Sequence, residues 1–309
     1  MSLQRILLVI CIGVVLSACS DSRDQVVVVY TSQDQLYSSK VLAAFSRETG
    51  IKVLPLYDSE SVKTAGLVNR LVAERQRPRC DVFWSNEELM VHRLAQKGIV
   101  REEDISTFGY RSRRLVVNTN LVTEAEFPTS LSELTSSEWR GRIAMAYPLY
   151  GTTITHLMSL RAAWGEEAWR EWCQAMLAND TLVVDGNSAV VRLVGQGKVA
   201  VGFTDSDDIA VGIRNGLPLR QLEIGKGFPA IQNSAVVVPG GPNPENGRAL
   251  VAFLQRPKTV NQLVSLGALE GADAHELARP MIVWSEVLLG FDDAYQWLES
   301  TFFRGGSSL

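Results

Sequence analysis

Val26-Val27-Val28-Val29-Tyr30-Thr31-Ser32-Gln33-Asp34 is the stretch on which the fold reading turns. Its β-branched run, Val26 to Tyr30, is apolar at consecutive positions and not at alternate ones, as in a strand covered on both faces. The polar triplet Ser32-Gln33-Asp34 then opens a helical pattern from Leu36 to Glu48, which stops at Thr49-Gly50 with glycine as C-cap. The same device recurs downstream. Ile51 to Tyr57 reads as a second strand, Ser59-Glu60-Ser61 opens a helix to about Arg75, and Cys80 to Trp84 is a third strand followed by Asn86-Glu87 and a helix to Lys97-Gly98. Strand and helix alternating in this way predict a doubly wound α/β unit.

A second unit of the same kind follows. Strands are expected at Arg114–Asn118, Gly141–Ala146, Leu182–Asp185, Val199–Thr204 and Ser234–Val238. Helices are expected from Ser130, Gly151, Ala189 and the Asp205-Ser206-Asp207-Asp208 turn, with Trp169 and Trp172 as core of a helical hairpin. Two crossings, near Arg114–Asn118 and Asn233–Val238, divide the chain into one lobe of residues 26–116 plus 237–309 and another of 117–236. A cleft between such lobes collects the polar turns, because ligands of open α/β sheets bind beyond the carboxyl ends of the strands.

Ahead of these units, Arg5, the apolar run Ile6–Leu16 and the box Leu16-Ser17-Ala18-Cys19 read as a lipoprotein signal peptide over residues 1–18. Cleavage before Cys19 leaves its sulfur for acyl chains, and residues 19–25 form the tether. The protein is therefore expected in the cell envelope, lipid-anchored to a membrane and facing the periplasm or the outside. The run is shorter than the ~20 residues of a spanning helix.

Composition narrows the function further. Thirty Lys and Arg against 34 Asp and Glu, with no basic block, exclude the concentrated cationic face that nucleic acid requires. His92, His156 and His275 are scattered and no CxxC or HExxH occurs, which argues against a zinc centre. Cys80 and Cys173 leave a single disulfide and two buried thiols both open. No G-x-S-x-G elbow is present and no base stands beside Ser32 or Ser188, so an exported hydrolase ranks below a binding protein.

Val27-Val28-Val29-Tyr30-Thr31-Ser32, Glu48-Thr49-Gly50-Ile51-Lys52-Val53, Asp81-Val82-Phe83-Trp84, Asn118-Thr119-Asn120, Gly151-Thr152-Thr153 and Gly186-Asn187-Ser188 together carry a family likeness. On these the chain resembles the type II periplasmic solute-binding proteins of ABC importers, nearest to their ferric-iron-binding branch. The resemblance implies an α/β, two-lobed type II periplasmic-binding-protein fold, each lobe a doubly wound sheet with flanking helices. It further implies no enzymatic role, a monomer, and an ABC permease with its ATPase as partner. Ferric members hold iron through an early-loop histidine, a carboxylate after the third strand and two adjacent tyrosines, often with carbonate or phosphate as co-ligand. Here Asp34 stands at the first place, Asn86 or Glu87 at the second, and Asp205 to Asp208 at the third, with no tyrosine there.

The candidate site follows from both readings. Asp34, Glu87, Asp205, Asp207 and Asp208 are candidate metal ligands, since hard cations prefer carboxylate oxygen, and Glu60 is a further strand-end acid. Each of these acids also suits a plain helix-capping role. Ser32, Gln33, Asp34, Ser59, Glu60, Asn86, Gly151, Thr152, Thr153, Asn187 and Ser188 are candidate ligand-binding residues, the last five making an anion cradle at two helix N-termini. Tyr147 and Tyr150 are candidate cleft aromatics, while Tyr30 and Trp84 read as core. Ferric iron or a ferric complex is the leading ligand. A phosphorylated or carboxylated metabolite is the alternative, opposed by the shortage of recognisable cations.

Overall fold

Strand β1 (Val26–Thr31) lies between two parallel partners, β2 (Lys52–Tyr57) and β3 (Val82–Ser85). The structure is a computed structural model and describes residues 25–57, 65–224, 227–274 and 282–304. Cys19, Ser59 and Glu60, and with them the lipidation and two ligand-binding expectations, lie outside the described residues. Helix α1 (Gln35–Thr49) returns from β1 to β2 and ends on Gly50, whose φ of 76° is the left-handed cap conformation that glycine adopts without strain. It buries Tyr37, Val41, Leu42 and Phe45, a helical-period stripe. Helices α2 (Ala65–Ala73) and α3 (Leu89–Gln96) flank the same sheet.

Two long strands join this sheet to a second one. β4 (Ser106–Asn118) pairs with β9 (Ala230–Val237) from Ser106 to Ser112, then with β7 (Val201–Asp205) from Arg113 to Val117. The first sheet thus runs β2-β1-β3-β9-β4; the second runs β4-β7-β5-β6, with β5 at Ile143–Ala146, β6 at Leu182–Val184, and β8 (Leu219–Leu222) also on β4. β5 is parallel to both β6 and β7. Helices α4 (Gly151–Trp164), α5 (Glu166–Ala178), α6 (Asn187–Gly195) and α7 (Ser206–Arg214) serve the second sheet. Helices α8 (Pro244–Leu254) and α9 (Pro257–Leu266) return to the first, and α10 (Trp284–Leu288) and α11 (Phe291–Glu299) follow.

This is the two-lobed α/β architecture that the strand–turn–helix repetition implies. β4 starts eight residues before the expected Arg114 and β9 four before the expected Ser234, while β8 is an additional strand. The reason for β4 is electrostatic. Arg111, Arg113 and Arg114 give its middle a loop-like composition, yet all three are buried because carboxylates meet them. At Gly109 the register of β4 against β9 shifts, with φ of 58° and a position where a Cβ would stand 2.3 Å from Leu269 Cδ1.

Three apolar clusters hold the layers. One face of the first sheet packs Val27, Val29, Trp84, Phe45 and Phe253; one face of the second packs Val116, Val190, Val194 and Ile209. The third and largest runs from Leu67, Phe83 and Leu89 through Val287, Phe291 and Leu298 to Ile154, Trp169 and Cys173, so it spans both lobes. Each fully buried Leu or Phe contributes about 1.5–3 kcal/mol. Cys80 and Cys173 are both buried and unpaired, which settles the disulfide alternative in favour of thiols. Among the described residues no helix is long and apolar enough to cross a membrane.

Candidate functional site

The carboxyl ends of β5, β6 and β7 converge on one cleft. Because these strands are parallel, each is followed by a turn and then by the N-terminus of α4, α6 or α7. The cleft wall therefore carries Tyr147, Tyr150, Gly151, Thr152 and Thr153 from the first turn, Asp185 to Ser188 from the second, and Asp205, Asp207 and Asp208 from the third. Asp34 and Asn86 face them from the ends of β1 and β3, and Arg111 rises from the crossing strand β4. Most of the residues expected from the polar turns thus meet in space.

Asp205 organises this convergence. Its Oδ1 accepts from Arg113 Nη1 at 2.9 Å; its Oδ2 accepts from Thr152 Oγ1 at 2.6 Å and Asn187 Nδ2 at 2.9 Å, with Arg111 Nε 3.4 Å away. Arg113 Nη1 also donates to Thr152 Oγ1 and Asn187 Oδ1, at 3.2 and 3.0 Å. One carboxylate so ties β4 to the starts of α4, α6 and α7. Burial opposes its ionisation, but the charges of Arg113 and Arg111 outweigh burial and hold the carboxyl below the usual range. Both oxygens already accept hydrogen bonds, so Asp205 braces the cleft wall as well as presenting its carboxylate beside Asp207 and Asp208.

Asp207 and Asp208 are placed differently. Carboxyl oxygens of Asp205, Asp207 and Asp208 lie within 4.8 Å of one another. Asp207 is 8% exposed, its Oδ2 is 3.7 Å from Arg111 Nη1, and its Oδ1 has no hydrogen-bond partner among the described residues. Burial pushes its pKa up to about 6, Arg111 restraining the rise. For Arg111 itself burial works against the charge, but Asp207 and Asp205 more than compensate and keep it protonated. Among the described residues five carboxylates line the cleft, those of Asp34, Asp185, Asp205, Asp207 and Asp208, against the guanidiniums of Arg111 and, behind it, Arg113. The balance is anionic and favours a cation among oxygen donors, while the amide ends of α4 and α6 offer a place for an anion beside it.

Other expectations fall outside the cleft wall. Ser32 and Gln33 are buried behind it: Ser32 Oγ donates to Asn86 Oδ1 at 3.0 Å, and Gln33 Oε1 accepts from Asn233 Nδ2 at 3.0 Å. They hold Asn86 and β9 in place. Glu87 is fully buried and turned away, its Oε2 accepting from Thr155 Oγ1 at 3.1 Å and its Oε1 from the Met90 N–H. It joins the two lobes instead of joining Asp207, and burial raises its pKa to about 7. Arg111, Arg113 and Asp185 are not among the site residues expected from the sequence, where Asp185 is only the end of a strand. The alternation of Arg111 and Arg113 within Tyr110–Arg114 was the available signal, because it puts two guanidiniums on one face of a strand.

Comparison with known proteins places these features. Over 201 residues the chain is 28% identical to the Fe(3+)-binding periplasmic protein of Serratia marcescens, covering 59% of this chain and 57% of that one. It thus spans a little over half the length of that relative. Iron-bound HitA from Pseudomonas aeruginosa superposes with a TM-score of 0.77 at 20% identity, over 89% of this chain and 98% of the other. The periplasmic binding protein AfuA from Actinobacillus pleuropneumoniae, solved with fructose-6-phosphate bound, gives 0.75 at 15% identity over 89% and 97%. At these identities the likeness to the solved structures is one of fold. Residues 26–267 match the family of bacterial extracellular solute-binding proteins throughout. The chain belongs to that family, with a two-lobed type II fold and a resemblance to its ferric-iron-binding branch.

Proposed function

We propose that this protein is the solute receptor of an ABC importer and captures ferric iron, or a ferric complex, in the cleft between its lobes. The observation that carries the reading is the carboxylate excess: Asp34, Asp207 and Asp208 face one another around an anionic cleft whose one lining guanidinium among the described residues, Arg111, is already engaged by Asp205 and Asp207. A trivalent cation relieves that repulsion. Carbonate or phosphate fits as co-ligand at the N-termini of α4 and α6. Lobes of residues 26–116 with 237–309 and of 117–236 close on the ligand and present the closed form to the permease with its ATPase. The receptor works as a monomer, held to the membrane by acyl chains on Cys19 after removal of residues 1–18. The name of the Serratia marcescens relative supports the ferric reading.

The test is competition between the metal-stripped mature chain and citrate for ferric iron, followed by absorbance. Wild type takes iron from citrate, and the Asp207→Ala/Asp208→Ala double variant does not. Equal uptake by both sinks the carboxylate site. A second reading keeps the receptor and replaces iron with a phosphorylated metabolite. It is favoured by Arg111, a cleft cation the composition does not reveal, lying in the same cleft as two helix N-termini.

A further inference from the structure

The last described helices bridge the lobes. On the first lobe, Trp284 of α10 stacks on His92 of α3 with ring centroids 4.6 Å apart. Beside it, Arg93 lies 4.3 Å over the Phe291 ring and pairs with Asp292. On the second lobe, Arg161 of α4 donates to the Leu289 carbonyl at 2.7 Å. Trp297 packs on Trp169 at 5.0 Å, under the guanidinium of Arg170 at 4.9 Å. The turn Ser300–Arg304 that continues α11 then carries Phe303 to 5.3 Å from the ring of Tyr147. Tyr147 lines the cleft, where burial and the charge of Asp185 raise the pKa of its hydroxyl.

We propose that the segment Trp284–Arg304 is an interlobe strap that ends on the ligand cleft, Phe303 acting as a positioning residue for Tyr147. The two attachments differ in kind. That on the second lobe is mostly aromatic and continuous with the core through Leu298. That on the first lobe adds an ion pair, whose acid Asp292 is 72% exposed, to the stack of Trp284 on His92 and to the buried Val287 and Phe291. Movement between the lobes therefore loads both attachments, and the strap carries the displacement along α11 to Tyr147. The proposal rests on the receptor reading only where a ligand is used as probe.

The test is ¹⁹F NMR of the mature chain labelled with 3-fluorotyrosine, the Tyr147 resonance being assigned by its loss in Tyr147→Phe. Asp292→Asn, which removes one exposed charge far along the strap, shifts or broadens the Tyr147 resonance in ligand-free protein. Phe303→Ala shifts it further and Phe303→Leu partly restores it. With ferric citrate as probe, Asp292→Asn and Phe303→Ala each weaken binding by roughly fivefold or more. A Tyr147 resonance that answers to Phe303→Ala but not to Asp292→Asn overturns the strap and leaves local packing. Unchanged binding in both variants overturns the tie to the cleft. Should wild type ignore ferric citrate, the iron reading fails alone, and the ligand-free spectra still decide the strap.

Discussion

Arg113 Nη1 and Asp205 Oδ1 lie 2.9 Å apart, with the two side chains 0% and 2% exposed. They are 92 residues apart in sequence, and the pair joins the crossing strand to three helix N-termini. A buried pair that loses one member leaves the other charge unsatisfied, at a cost of about 3–5 kcal/mol. Asp205→Ala is therefore expected to lose stability of that order in urea unfolding, whereas Asp208→Ala loses affinity with a midpoint close to wild type. A stable Asp205→Ala that merely fails to bind would make Asp205 a direct ligand and not a brace.

Asp207 sets the acid limb of binding. With its carboxyl pushed up to about 6, protons compete with a bound cation from that pH downward. Affinity for ferric iron is expected to fall by about tenfold per pH unit below 6 as Asp207 takes up its proton. Citrate competition from pH 7.5 to 5 measures it, with the competitor's own titration subtracted. A flat profile contradicts carboxylate ligation.

Glu88 makes the opposite limb visible in stability. Burial raises its pKa to about 8, and the Gln232 N–H that it accepts at 3.3 Å only moderates the rise. Between the unfolded value near 4.3 and 8, the folded protein holds a proton that the unfolded chain has released. Stability thus falls as pH rises through this window, by up to about 1.4 kcal/mol per unit. Glu88→Gln is expected to unfold at a higher temperature than wild type at pH 8 and to match it at pH 4.5. A variant less stable than wild type at pH 8 would show that the charged form of Glu88 is favoured.

Gly109 admits no side chain. Its φ of 58° and the 2.3 Å approach of Leu269 Cδ1 to a built Cβ act together. Gly109→Ala is expected to cost about 1–3 kcal/mol in denaturant unfolding, with ligand affinity reduced because β4 carries Arg111 just beyond the shift. An unchanged midpoint would mean that β4 adjusts its register freely.

The parts of the molecule legible in the sequence are those where composition and environment agree. Val82–Ser85 and Val201–Asp205 are runs buried on both faces, and Val26–Thr31 is buried except at the half-buried Val26 and Val28; polar turns follow each, and the turns led to Asp34, Asn86, Gly151–Thr153, Asn187, Ser188, Asp207 and Asp208 in one cleft. The middle of β4 was illegible for the converse reason. Its arginines are buried only because Asp205, Asp207 and Glu270 meet them from 92 or more residues away. Glu87 could not be told from Asn86 by position, since a single residue at a strand end changes the direction in which the side chain points. Asp205, read as one acid of three, is held by three donors on other elements, Arg113, Thr152 and Asn187, with the guanidinium of Arg111 beside them.

Thermal unfolding of the metal-stripped mature chain with ferric citrate, divalent metals and phosphorylated sugars tests the central claim most directly. A ligand at 100 times its dissociation constant adds about 2.7 kcal/mol, which moves the midpoint of a domain this size by several degrees. Ferric capture by the cleft carboxylates predicts a rise with ferric citrate in wild type and none in Asp207→Ala/Asp208→Ala. A rise with a phosphorylated sugar alone, and none with ferric citrate, would contradict it.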